Sequence, residues 1–208
     1  MKAPLPKNEV KRIEILWKYD VLDTPPEKLF DELTSLAAYI CEAPVALISL
    51  VDENRQWFKS KVGISLKETS RDISMCAHAI LQKNLMIVPD ATQDERFKDN
   101  PFVVSDPKIR FYAGAPLITP SGHALGTLCV IDKVPRQLTN DQKQALRILS
   151  RHVMAQLEQR RQSRELRRSQ EDCEKIKKEL AKAQAEIKKL RQGKNSTAVR
   201  KLAGHQRR

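Results

Sequence analysis

The spacing of apolar and polar residues divides the chain into a compact part and a long helical extension. Val10, Ile13, Leu16 and Trp17 fall on one face of a short N-terminal helix. Thr24-Pro25-Pro26-Glu27 reads as a capping box with proline in the first turn. The helix it opens carries Leu29, Phe30, Leu33, Leu36, Ala37 and Ile40 at helical spacing. From Pro44 the pattern changes. Val45 to Val51 is apolar at both alternating positions, which predicts a strand covered on both faces of a sheet. Asp52-Glu53-Asn54 turns the chain into Arg55 to Val62, where Phe58 and Val62 alternate with Trp57, Lys59 and Lys61, so this strand is predicted to be half exposed. Ser74 is an N-cap for a helix from Met75 to about Gln82. Met86-Ile87-Val88 predicts a short strand, and Pro89 to Pro107 a long polar loop of the kind that carries function in compact domains. Arg110 to Asp132 then predicts an antiparallel hairpin turning at Thr119-Pro120-Ser121-Gly122. Gly114 and Gly126 mark places where another backbone or a ligand comes close. Thr139-Asn140-Asp141-Gln142 caps the closing helix as a second capping box.

That closing helix has no internal stop, since neither proline nor glycine occurs between Pro135 and Gly193. Leu166, Ser169, Cys173, Ile176, Leu180, Ala183, Ile187 and Leu190 recur at alternating spacings of three and four, which is the a/d seam of a coiled coil. Leu146, Leu149 and Val153 form a similar upstream seam one residue out of phase. A local phase change is therefore expected between Gln159 and Arg168, where Leu166 is the lone apolar residue. Gly193 ends the helix and Lys194 to Arg208 reads as a disordered basic tail. The expected organisation is an N-terminal amphipathic helix (1–21), a globular domain (22–158), a coiled-coil helix (159–192) and the tail (193–208).

Charge follows the same division. The 208-residue chain has a formal net charge of +12, and the stretch from Glu158 to Arg208 holds 17 Lys+Arg against 7 Asp+Glu, or +10. The globular part is left nearly neutral, at 21 against 19. In the extension, cations mixed with Glu171, Glu174, Glu179 and Glu186 read as a solvated face with i,i+4 pairs. The excess also suits nucleic acid, anionic lipid or an acidic partner, though without the interleaved aromatics that base stacking requires. No run of eighteen apolar residues exists to span a membrane, and Met1 to Lys11 lacks the apolar core of a secretion signal. Cys41, Cys76, Cys129 and Cys173 form no CxxC and read as free thiols of a reducing cytoplasm.

The segments VLDTPPEKLFDELTSLAAYICEAPVALISLVDENRQWFKS, DISMCAHAI, VPDATQDERFKDNP, RFYAGAPLITPSGHALGTLCVID and PRQLTNDQKQALRILS run from about Leu22 to about Glu158. In wording and order they resemble the bacterial GAF domain family, small-molecule-sensing modules of signalling proteins. The resemblance implies an α+β fold, an antiparallel sheet flanked by helices, followed by a long C-terminal helix forming a coiled coil. It also implies a ligand between the sheet and the loops and short helix that join its middle strands. Phe58, Met75, Cys76, His78, Asp90, Arg110, Tyr112 and Thr127 are the candidates to line that pocket. Arg110 could hold a carboxylate or phosphate bidentately, or serve as a structural partner of Asp90, Asp94 or Asp106. Asp90 and Arg96 could likewise pair to pin the long loop. The family takes many ligands, so neither ligand nor cofactor is named by the resemblance.

Cys76 and His78, at i and i+2 of a helix, point about 200° apart and need Cys41, Cys129 or His123 to complete a metal site; no zinc-type spacing is present, and no metal is expected. The bilin-binding relatives place the pocket residue directly after the chromophore cysteine, whereas Ala77 intervenes here. The cyclic-nucleotide relatives carry an Asn-Lys pair and a spaced phenylalanine before Asp-Glu, and Asp94-Glu95 lacks both. Free-methionine-sulfoxide reductases depend on pocket cysteines, of which Cys76 and Cys129 could supply two, with Cys76 activated by the helix N-terminus after Ser74.

The expectation is a non-enzymatic cytoplasmic sensor with no catalytic residues. Two copies pair in parallel through Leu166, Cys173, Ile176, Leu180, Ala183, Ile187 and Leu190. Because nothing after Leu190 could fold into an output module, the signal passes to a separate signalling protein through the C-terminal helix. A ligand-free dimeric scaffold, or a nucleic-acid-binding accessory protein using the basic extension, is the alternative. A cysteine-dependent redox enzyme of the reductase type is a second.

Overall fold

A computed structural model of the chain describes residues 2–189. Its compact body is Met1–Arg161, and Gln162–Arg208 forms a second unit. The elements are α1 (Glu9–Lys18), α2 (Lys28–Cys41), β1 (Val45–Val51), β2 (Arg55–Val62), β3 (Glu68–Ser70), a 3-10 turn (Arg71–Ile73), α3 (Met75–Ala79), β4 (Met86–Val88), α4 (Pro101–Val104), β5 (Phe111–Ile118), β6 (Ala124–Asp132) and α5 (Asn140–His205, described as far as Lys189). The expected helix end at Gly193, the tail over 193–208 and Leu190 of the seam lie outside the described residues.

The six strands form one antiparallel sheet in the order β3-β2-β1-β6-β5-β4, the α+β architecture that the sequence predicted. The doubly apolar β1 sits beside β6 in its middle. Alternation along the strands sends two sets of side chains to two separate cores. Ile48, Leu50, Trp57, Phe111, Ala115 and Leu128 pack under α1, α2 and the first turns of α5, against Leu16, Phe30, Cys41, Leu146, Leu149 and Val153. Leu47, Val51, Phe58, Tyr112 and Cys129 face the other way, beneath α3 and the long loop, against Met75, Ile80, Phe97 and Val103. Leu146, Leu149 and Val153 are thus the core-facing stripe of α5 rather than an upstream part of the coiled-coil seam.

Further sequence expectations are revised. β2 is buried over Gln56–Ser60 instead of half exposed, because α2 lies across it. A register shift between Ile48 and Ser49 places a bulge opposite β1 and turns both Lys59 and Ser60 toward α2. Ser60 Oγ donates to Asp31 Oδ1 at 2.6 Å. The Lys59 ammonium is 0% exposed and donates to Glu27 Oε1 (2.6 Å), the Pro25 carbonyl (2.8 Å) and Thr24 Oγ1 (2.9 Å), 5.3 Å over the Phe30 ring. This lysine also undoes the first capping box. Thr24 Oγ1 donates back to the Val21 carbonyl, and Glu27 turns to Lys59 and to Arg160 of α5. The second box forms as read: Gln142 N donates to Thr139 Oγ1 and Thr139 N to Gln142 Oε1.

On α1, Ile13 and Leu16 are buried while Val10 and Trp17 stay exposed, the indole donating to Asp52 Oδ1. Glu9 holds both Arg12 and Arg71, tying α1 to the turn after β3. In the described part of the extension, Arg167–Glu171, Lys175–Asp172 and Lys177–Glu174 pair along the helix. Among the described residues no helix is long and apolar enough to cross a membrane.

Removing the ammonium strands Glu27 with Arg160 alone and empties a buried slot. Lys59→Ala is expected to cost roughly 2–3 kcal/mol in urea unfolding, discounted from a fully buried pair because Glu27 is part exposed. Lys59→Met, which refills the slot, should lose clearly less. Equal losses in the two variants would show that the charge and not the packing dominates.

Candidate functional site

On the second face of the sheet, a cavity of about 170 Å³ opens between the strands and the segments that cover them. Its floor is Val45 and Leu47 of β1, Phe58 of β2, Tyr112 of β5 and Ile131 of β6. Met75 and Cys76 of α3 close one wall, and Phe102, Pro107 and Ile109 of the long loop close another. The exposed residues Gly63, Leu66 and Lys133 mark its mouth. The lining is overwhelmingly apolar. Its polar groups are few, and two of them are spoken for: Gln56 Oε1 accepts from Ser74 Oγ, which itself caps α3 by accepting from Ala77 N at 3.0 Å.

Local sequence explains the position of each wall. Ser70 and Ser74 cap two successive short turns, so α3 starts where its first residues meet the sheet. Asn100 is buried, caps α4 through Phe102 N and donates to the Ile73 carbonyl at 2.9 Å, which joins the long loop to the start of α3. Gly114 has no side chain because the Tyr112 phenol lies over it: a Cβ there would meet Tyr112 Oη at 2.1 Å. Gly126 answers to backbone, since its Cβ would lie 1.9 Å from the Ser49 carbonyl.

Below the cavity is a small polar cluster. Cys76 Sγ stands 3.7 Å from Cys129 Sγ, and Tyr112 Oη donates to Cys76 Sγ at 3.3 Å. Ser49 Oγ and Thr127 Oγ1, opposite each other across the β1–β6 ladder, are buried without a conventional hydrogen-bond partner and adjoin the same sulfur. Burial pushes the Cys76 thiol up, but its bonds with Cys129 and Tyr112 and the nearby hydroxyls of Thr127 and Ser49 outweigh it and hold the thiol below its ordinary value. Cys129 moves the opposite way, through its bond to Cys76 and its burial, so the pair loses its first proton readily and its second reluctantly. Cys41, in the other core, is pushed up to about 11 by burial.

Of the residues that the sequence singled out, Phe58, Met75, Cys76 and Tyr112 meet on the cavity wall, and His78, Asp90, Arg110 and Thr127 do not line it. Thr127 sits in the polar cluster beneath. His78 is buried edge-on against Phe97, ring centroids 4.8 Å apart. Asp90 caps its own turn by accepting from Thr92 N and Oγ1. Arg110 donates to the carbonyls of Val103 and Ile109 and so braces the long loop from within. Arg96 pairs with Asp94, at 2.6 Å. Among the described residues no three His, Cys, Asp or Glu side chains converge. The sequence reading missed Val45, Leu47, Gln56, Ile109 and Ser49. The alternation of β1 carried the signal for Val45, Leu47 and Ser49, whereas Ile109 required knowledge of where the loop folds back.

A family model described as GAF domain matches residues 25–157. A cyclic di-GMP phosphodiesterase of Pseudomonas aeruginosa is 43% identical over 155 residues, 74% of this chain. The chain spans about a quarter of that relative's length, 26%. Among solved structures, the blue-light absorbing form of the PixJ GAF domain of Thermosynechococcus elongatus superposes with a TM-score of 0.55 at 14% identity, over 75% of this chain and 94% of that one. The GAF domain of an Acinetobacter phosphoenolpyruvate-protein phosphotransferase gives 0.52 at 15% identity, over 72% and 92%. At these identities the two structures speak for the fold alone. The Pseudomonas relative corrects one expectation: a non-enzymatic protein was read from the sequence, and the relative's name is that of an enzyme, so the chain is not set apart from enzymes.

The glycine at 114 gives the geometry a direct check. Gly114→Ala should destabilise the protein by roughly 2–3 kcal/mol through overpacking against a phenol that has no room to withdraw. In a double-mutant cycle on chemical unfolding, Tyr112→Phe should recover part of that loss by removing the closest atom. Strict additivity of the two changes would mean that the phenol does not lie where described.

Proposed function

The chain belongs to the GAF domain family, and on that premise we propose that it is a cytoplasmic sensory region that binds a small apolar molecule and controls cyclic di-GMP hydrolysis through α5. The cavity carries this reading. An enclosed apolar space of ~150 Å³ is enough to hold benzene, so a cavity of about 170 Å³ suits one aromatic ring or a short aliphatic chain. A cyclic dinucleotide is far larger and strongly charged. We therefore assign it to the output, as in the name of the Pseudomonas relative, and not to the cavity. Whether the hydrolytic activity lies in the same polypeptide or on a bound protein, the signal leaves along the C-terminal helix.

Dimerisation is the second part of the proposal. Leu166, Cys173, Ile176, Leu180 and Ile187 are exposed in the single chain, an apolar stripe on an otherwise charged helix. Counting heptads back from Leu166 and Ser169 arrives at Gln162, Gln159, Ala155, His152 and Ile148, every one of them exposed. Pairing of two copies along Leu166 to Ile187 accordingly uses no residue that the core already holds.

Two measurements test these parts. Indole or benzene should raise the unfolding midpoint logarithmically with concentration above Kd, by the equivalent of about 2.7 kcal/mol at a hundredfold excess. Ile109→Trp, which fills the cavity from its rim, should abolish the shift; an equal shift in that variant would place the ligand elsewhere. For the helix, a mild oxidant should give a Cys173–Cys173 linked dimer if the copies pair in parallel and in register. Failure to link in a sample that sediments as a dimer would show another pairing.

A further inference from the structure

The cluster under the cavity contains two thiols that the sensory reading does not use. Cys76 and Cys129 come from different elements, 53 residues apart, and their sulfurs stand at 3.7 Å with both residues about 1% exposed or less. A disulfide needs about 2.05 Å between sulfurs, so roughly a further 1.7 Å of approach closes the bond. The two elements differ in how easily they yield. β6 is held along its length by ladders to β1 and β5, whereas α3 is a helix of five residues hung between a 3-10 turn and a loop.

Three further observations make this pair a reaction site rather than core filling. Tyr112 Oη already donates to Cys76 Sγ. Ser49 Oγ and Thr127 Oγ1 are fully buried hydroxyls without a conventional partner beside the same sulfur, and a hydroxyl so placed has a donor to spare for an anion. Cys76 also lines the cavity, so a molecule of a few heavy atoms entering past Gly63 and Leu66 comes up against this residue.

We infer that Cys76 and Cys129 are a peroxide-oxidised dithiol, with Cys76 as the attacking sulfur, Cys129 as the resolving one and Tyr112 positioning the first. The occupant proposed for the cavity plays no part in this chemistry. The Cys76 thiolate attacks the distal oxygen of a hydroperoxide and breaks the O–O bond. The leaving alkoxide, or hydroxide from hydrogen peroxide, takes up the proton that Cys76 released and departs as alcohol or water. The resulting Cys76 sulfenic acid is attacked by Cys129, the S–O bond breaks, and the hydroxide leaves as water with the Cys129 proton. Two thiols supply two electrons to one peroxide, and the products are one disulfide, one water and one alcohol. The assignment of roles agrees with the opposed displacement of the two thiols from their ordinary values. Closing the bond draws α3 onto the sheet and carries Met75, on the cavity wall, with it.

The test is stoichiometric hydrogen peroxide on the full chain carrying Cys173→Ser, which removes the exposed thiol, followed by peptide mapping without reductant. The expected product is a Cys76–Cys129 linked peptide that dithiothreitol reverses. In Cys129→Ser, dimedone should trap a sulfenic acid on Cys76, and in Cys76→Ser oxidation of Cys129 should slow by at least about tenfold, because the activated thiolate is gone. Tyr112→Phe should slow the first step while leaving the linked product unchanged. Persistence of both thiols in the folded Cys173→Ser chain under peroxide that oxidises free cysteine would overturn the inference. So would accumulation of Cys76 sulfenic or sulfinic acid without the link.

Discussion

The ladder between β1 and β6 places everything else. These strands lie at the centre of the sheet with side chains buried on both faces, and their backbones approach so closely at Gly126 that no Cβ fits against the Ser49 carbonyl. A sheet fixed in this way must be covered twice. The larger cover is helical and mainly apolar, with Lys59, Ser60, Arg12 and Thr34 enclosed and each paired. The smaller cover is built from a five-residue helix and a long loop, and short pieces cannot tile a sheet without gaps. The cavity is the remainder of that imperfect tiling, and the polar cluster lies where α3 comes nearest to β6.

Much of this was legible in the sequence because the strongest signals are local and periodic. β1 read as doubly buried, the hairpin turn read from Pro120 and Gly122, and Ser74 and Thr139 read as caps, each a rule of a few residues. Other features came from contacts between distant residues. Lys59 looks like an outward lysine on a half-exposed strand until Glu27, Thr24 and Pro25 close around it, and those partners lie more than thirty positions away. The same holds for Leu146, Leu149 and Val153, which have the spacing of a seam until the sheet beneath them reveals that they face the core. Arg110 attracts attention in the sequence as a ligand-binding cation and Arg96 as a partner of Asp90, yet the first braces carbonyls and the second holds Asp94.

Family and chemistry answer different questions. Membership of the GAF family rests on a match across most of the compact body, but the fold is shared by structures that are only 14–15% identical to this chain over that region. The chemistry available to this chain lies in what fills the second face: an apolar lining, two adjacent thiols and a tyrosine laid over a glycine. As proposed above, the cavity and the thiols are two inputs of unlike kind, one reversible by dilution and the other by reduction, and the cyclic di-GMP chemistry in the Pseudomonas relative's name is the proposed output.

The segregation of the two faces also decides what an optical experiment can see. The two tryptophans, Trp57 against α2 and Trp17 on α1, belong to the helical side of the sheet, whereas the cavity and the thiol cluster are bordered by Phe58 and Tyr112. Indole emission from this protein is a gauge of the helical layer and of global unfolding. Events on the opposite face reach it only through β2, where Trp57 lies between the cavity-lining Gln56 and Phe58, so a tyrosine signal, or an indole brought in from outside, is the more direct reporter of that face.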